Sequence, residues 1–216
     1  MFGATLTTHG GLIAAWTLEG NNTTQLTSGI SPNTDVTYDP GYVTGTLTGA
    51  GYANMGVVSA GVNTLNDPRT TPVNSANVIY GGNLGSGPMT LTIQLNNAAG
   101  LSGFIITYAA ANVSSGTQLW EWSQNGSSWN SPDSSTLSLG SSWSVNTVDF
   151  NTASPSLSGT IFFRNTVNSG SVGLAAFDNF QVTAVPEPIN YALAAFGLCV
   201  GGICFGRRFL RKLARA

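Results

Sequence analysis

Seven residues near the middle of the chain, Met89-Thr-Leu-Thr-Ile-Gln-Leu95, alternate strictly between apolar and polar. Successive side chains of an extended chain point to opposite faces, so this run predicts a strand that buries Met89, Leu91, Ile93 and Leu95 together. A second layer must cover that face, and the sequence supplies one of the same kind. Strand-like runs over 103–110, 117–123, 142–150, 159–165 and 172–183 follow at short intervals. Turn formers separate them at 96–100, Asn125-Gly126, 131–133 and 168–170. Short strands at that spacing predict an all-β fold, an antiparallel two-sheet β-sandwich.

The first half is less regular. Strands are expected over 12–18 and 42–48, with a short one at 77–80, and the connections at 19–41 and 49–76 are long and polar. Connections of that length are functional, disordered, or hide an edge strand. No amphipathic helix is legible in residues 1–185.

Charge divides the chain in two. Residues 1–185 carry eight acidic groups against two basic ones, Arg69 and Arg164, which leaves them at −6 without a lysine. A nucleic-acid partner needs Lys or Arg to displace phosphate counterions, so the body excludes that class. The other five basic groups, Arg207, Arg208, Arg211, Lys212 and Arg215, all fall in the last ten residues. Between body and basic end lie Val185-Pro186-Glu187-Pro188, which the two prolines hold extended, and then Ile189–Gly206, eighteen residues without a charge. That run predicts a single hydrophobic transmembrane helix over 189–206, with the basic end 207–216 in the cytoplasm and the body outside. Cys199 and Cys204 both sit in it. On a helix they are about 7.5 Å apart in rise and on different sides, which makes them apolar fillers rather than a disulfide.

Pro-Glu-Pro, a short apolar span and a terminal cluster of Arg207, Arg208, Arg211 and Lys212, in that order, resemble the PEP-CTERM sorting tail. The resemblance implies two parts, an ectodomain over 1–184 and a sorting tail over 185–216. It implies an exported protein with the membrane and an exosortase as partners. The protein would be anchored transiently through 189–206, cut near Val185, Pro186, Glu187 and Pro188, and left at the cell surface or outside it. Such proteins associate with exopolysaccharide and biofilm matrix. A plain membrane anchor explains the span and the arginines equally well but not the Val-Pro-Glu-Pro junction. Met1–His9 has no feature of a secretory signal, so the expectation is a start further upstream.

Two segments of the body carry a second resemblance. Leu119-Trp-Glu-Trp-Ser-Gln-Asn-Gly-Ser-Ser-Trp129 predicts a hairpin, and with Ala176-Phe-Asp-Asn-Phe-Gln-Val182 it is similar to galactose-binding-like domains. The resemblance implies a jelly-roll-like sandwich.

Catalytic chemistry finds little support. The chain has one histidine, His9, close to the terminus, too few for a Ser-His-Asp site or a zinc site of the usual composition. Glu121, Asp133, Asp149 and Asp178 could in principle pair for glycoside hydrolysis, yet no spacing singles out two of them. The expectation is a non-enzyme without cofactor or metal. Asp178-Asn179 reads as a turn cap or strand pin, with a calcium ligand as the sharper reading. Trp120, Trp122 and Trp129 could form a sugar-stacking platform. Trp120 and Trp122 share a strand face, however, so at least one of them belongs to the core. Two functions follow: a structural or adhesive matrix component, or a carbohydrate-binding module with a defined ligand.

Overall fold

The computed structural model describes residues 10–18, 21, 23–34, 38, 43–50, 56–59, 65–68, 77–82, 88–112, 116–132, 136–139, 142–169 and 174–186. The chain divides into two compact units, Met1–Val185 and Pro186–Ala216. His9, Arg69, Asp133, Glu187, Pro188, the expected helix over 189–206 and the basic end lie outside the described residues. Among the described residues no helix is long and apolar enough to cross a membrane.

In chain order the elements are β1 (Gly11–Trp16), α1 (Thr23–Ser28), β2 (Gly45–Ala50), β3 (Gly56–Ser59), β4 (Asn77–Gly82), β5 (Met89–Leu95) and β6 (Leu101–Asn112). They continue with β7 (Gly116–Ser123), β8 (Thr136–Leu139), β9 (Ser144–Phe150), β10 (Ile161–Ser169) and β11 (Leu174–Pro186). Two antiparallel sheets result. One runs β3-β4-β11-β6-β9, with β1 added to β11, and the other runs β2-β5-β10-β7-β8. The last eight strands alone are ordered β4-β11-β6-β9 over β5-β10-β7-β8. This is the order of a jelly roll, whose eight strands form two four-stranded sheets.

The alternation in β5 sets the inner face: Met89, Leu91, Ile93 and Leu95 are all buried, and Thr90, Thr92 and Gln94 face outward between β2 and β10. Gly45 lets β2 approach, because a Cβ there would stand 2.4 Å from the Gln94 carbonyl oxygen. On β10 the same parity buries Ile161, Phe163, Asn165 and Val167. From the other sheet Phe104 and Tyr108 of β6, Phe150 of β9 and Phe177 and Phe180 of β11 meet Trp120 and Phe163. Ring centroids are 4.8 Å apart for Phe150–Phe163, 5.3 Å for Tyr108–Trp120 and 5.4 Å for Tyr108–Phe180. Offset and tilted rings at such separations attract beyond the area they bury.

β11 contains the device that joins the first half to this core. Asn179 has φ +50°, and around it the inward parity shifts, so that Phe177 and Phe180 are both buried. The extra residue of a β-bulge has this effect. Before the bulge, Leu174–Phe177 pair with β4, and after it Phe180–Ala184 pair with β1, so one edge of β11 serves two strands in turn.

The long connections hold more structure than the sequence suggested. Residues 19–41 contain α1, too short for any periodicity, whose Leu26 is buried. After it Ile30 exchanges backbone hydrogen bonds of 2.9 and 2.8 Å with Leu47, covering the β2 edge, and its carbonyl accepts the Trp16 indole N–H at 2.8 Å. Residues 49–76 contain β3, an edge strand.

Candidate functional site

At the end of β7 the sequence builds a tight, polar hairpin. Trp122 and Asn130 exchange backbone hydrogen bonds of 2.8 Å, which closes the loop between them. Inside it the Asn125 Oδ1 accepts from the backbone N–H groups of Ser127 and Ser128, each at 2.9 Å, and from the hydroxyls of Ser123 and Ser127, each at 3.0 Å. Ser123 Oγ in turn accepts from the N–H of Gly126 at 2.9 Å. Gly126 adopts φ +72° and lies against the Phe162 ring. A side chain would be strained there. Gln124 reaches across to the turn after β9, donating through Nε2 to the carbonyl and hydroxyl of Ser154 and to the carbonyl of Pro155 at 3.1–3.4 Å. These bonds fix the loop before any ligand arrives.

The three candidate tryptophans fall into three environments. Trp120 is 1% exposed and belongs to the core, where its Nε1 donates to the Tyr108 hydroxyl at 3.0 Å. Trp129 is half-buried on the outer face of its sheet, with the Arg164 guanidinium 4.0 Å from its ring centre. Arg164 also donates twice to one oxygen of Glu121, from Nη2 at 2.6 Å and from Nε at 3.1 Å. Ring, cation and carboxylate thus form one stack across β7 and β10. Trp122 packs its inner side on the core and is half-buried. With Gln124, Asn125, Ser128 and Asn130 it lines a pocket of about 220 Å³.

Trp122 differs from Trp16 and Trp120 in one respect. Its Nε1 is buried without a hydrogen-bond partner, whereas both of theirs are paired. An unpaired buried donor costs roughly 1–3 kcal/mol. The polar tip therefore points into the protein, and the surface that this indole turns to the pocket is carbon.

Two other polar clusters are structural. Gln118 and Asn165 are fully buried between the sheets and joined by a hydrogen bond of 2.9 Å, with Gln118 Nε2 and Asn165 Oδ1 unpaired. Beside them Tyr108 is pushed well above the usual tyrosine range, chiefly by burial, against which the hydrogen bond from Trp120 acts. At the β11 bulge, Asn179 donates through Nδ2 to the Leu65 carbonyl at 2.9 Å, and Asn66 donates to the Asn179 carbonyl at 2.7 Å. Gln181 donates to the Asn66 carbonyl at 2.6 Å. Asp178-Asn179 is thus a pin that holds the segment 65–68 on β11. Among the described residues no group of three or more His, Cys, Asp and Glu side chains comes together.

The candidate carboxylates are dispersed. Glu121 is held by Arg164 on one sheet, while Asp149 and Asp178 belong to β9 and β11 of the other, with β6 between them. Of the sorting motif, Val185 and Pro186 form the end of β11, two residues past the boundary at 184. The Val185 carbonyl accepts from the Ser102 hydroxyl at 3.5 Å.

No family model and no curated protein matches the chain. Among solved structures, a carbohydrate-binding module in complex with β-1,4-galactotriose is 11% identical over 64% of this chain and 88% of its own, with a TM-score of 0.42. A xylan-binding domain from Paenibacillus barcinonensis is 8% identical over 65% and 86%, with a TM-score of 0.42. A cleaved adhesin domain of Lys-gingipain from Porphyromonas gingivalis is 12% identical over 81% and 99%, with a TM-score of 0.45. Likeness at this level assigns neither family nor ligand to the chain.

Proposed function

We propose that this chain is an exported, non-catalytic β-sandwich of the cell surface or biofilm matrix, cut from a membrane-anchored precursor by an exosortase and adhering to exopolysaccharide. The observation that carries the reading is where the last strand ends. β11 runs to Pro186, and the sequence continues at once with Glu187-Pro188, the uncharged span and the arginines. A folded sandwich cannot enter a membrane enzyme's active site, but a short Pro-Glu-Pro linker beyond its last strand could. The body suits the extracellular side: it lacks lysine and is rich in hydroxyl and amide groups, which hydrate a surface of low charge.

Intact-mass measurement tests this in a host with active exosortase. The species recovered from the surface should end close to Pro186-Glu187-Pro188 and lack Arg207–Ala216. Neutralising Arg207, Arg208, Arg211 and Lys212 should impair both retention and processing. A full-length surface species that keeps the arginine tail would leave plain anchoring as the explanation. The second reading, a module with a defined sugar ligand, is favoured by the pocket at Trp122.

A further inference from the structure

We infer that the pocket formed by Trp122, Gln124, Asn125, Ser128 and Asn130 binds one neutral pyranose unit of a polysaccharide. The inference rests on the surface reading above and names the site and ligand class through which adhesion acts. No lining residue carries a charge, so the pocket offers nothing to phosphate, carboxylate or ammonium groups. It offers an indole whose accessible part is carbon, together with amides and a hydroxyl. A pyranose presents the complement: a face of C–H groups, which the electron-rich face of an aromatic ring attracts, and a rim of hydroxyls that both donate and accept.

The polar groups keep capacity for such a rim. Asn125 spends its Oδ1 on the loop and leaves Nδ2, and Gln124 spends Nε2 and leaves Oε1. Ser128 Oγ and the side-chain amide of Asn130, both on exposed residues, make no hydrogen bond among the described residues. The volume of about 220 Å³ lies below the roughly 300–1,000 Å³ of pockets for drug-sized molecules, which suits one ring rather than a buried oligosaccharide. With Trp122 Nε1 buried, carbon is what the ring leaves accessible, which suits stacking rather than hydrogen bonding.

The test uses the full chain in a zwitterionic detergent, since sugar-headed detergents would compete. Methyl glycosides of glucose, galactose and mannose are titrated by tryptophan fluorescence and saturation-transfer NMR, with glucuronate and glucosamine as charged comparisons. At ordinary per-atom efficiency one ring binds with a dissociation constant on the order of 1 mM. At least one neutral glycoside should bind at that level, and its charged counterpart should bind at least several-fold more weakly. Trp122→Ala should abolish binding. Asn130→Ala and Ser128→Ala, which remove exposed side chains without internal bonds, should weaken it several-fold while leaving the unfolding midpoint unchanged.

Purified exopolysaccharide from the host and an unrelated neutral dextran separate the sources of the sugar, and binding to either supports the site if Asn130→Ala weakens it. Absence of binding by all three neutral glycosides would overturn the inference, as would full affinity in Asn130→Ala and Ser128→Ala together. If the surface species still adheres to host exopolysaccharide in those variants, the adhesive reading stands and only the pocket fails.

Discussion

Asn179 offers a test of the bulge on which the sandwich turns. It sits at φ +50° and is 2% exposed, and its amide donates to the Leu65 carbonyl. Ala at this position loses two things. One is the hydrogen bond, about 1 kcal/mol. The other is the tolerance of Asn for the left-handed region, roughly 1–2 kcal/mol for an ordinary L residue. Gly loses the hydrogen bond but is at ease at positive φ, and where φ is positive Ala is worse than Gly by more than about 0.4–1 kcal/mol. Asn179→Ala should therefore cost about 2–3 kcal/mol, and Asn179→Gly about 1 kcal/mol less. Equilibrium urea unfolding followed by tryptophan fluorescence reads this directly. With a slope of about 2 kcal/mol/M, the midpoint falls by about 1 M or more for Ala and by roughly half as much for Gly. Both variants should also raise amide exchange over 65–68, which the Asn179 and Gln181 bonds hold down. Equal losses for Ala and Gly, or a smaller loss for Ala, would show that the backbone at 179 does not need the left-handed conformation.

Phe163→Ala removes a fully buried ring that contacts Phe104 and Phe150 and should cost about 3–5 kcal/mol by urea unfolding. A double-mutant cycle of Glu121→Gln and Arg164→Met should give a coupling below about 1 kcal/mol that shrinks in high salt, since Arg164 and Glu121 keep 28% and 15% exposure. The Tyr108 hydroxyl titrates higher when folded than unfolded, so its contribution is complete below about pH 10 and is lost as pH rises above it, by up to about 1.4 kcal/mol per unit. Thermal unfolding between pH 9 and 11.5 should show that decline, and Tyr108→Phe should flatten it.

The inner layer was legible because burial and period coincide. Met89, Leu91, Ile93 and Leu95 follow a period of two, and all face the core. Trp120 and Trp122 share a face, and one of them proved to be core. The short elements were not legible. Four residues of β8 and six of α1 give no period to recognise, and β3 is an edge strand inside a polar connection. The bulge at Asp178-Asn179 escaped for another reason: both Phe177 and Phe180 point inward, a spacing that fits neither simple alternation nor a helix. At the pocket, Asn125-Gly126 announced the turn, yet Gln124, Ser128 and Asn130 were indistinguishable from any other polar loop residues. Their role depends on the loop folding back onto Trp122, which only the tertiary structure fixes.

The register of the strands places the pocket beside the end of β11. Leu95 at the end of β5 pairs with Ile161 at the start of β10, and Phe162 pairs with Ser123 at the end of β7. Gln124 bonds to Ser154, in the turn between β9 and β10. The short segment 96–100 carries the chain from this end of one sheet to Leu101 in the other, where Ser102 meets Val185. The Trp122 pocket and the end of β11 therefore lie at the same end of the sandwich.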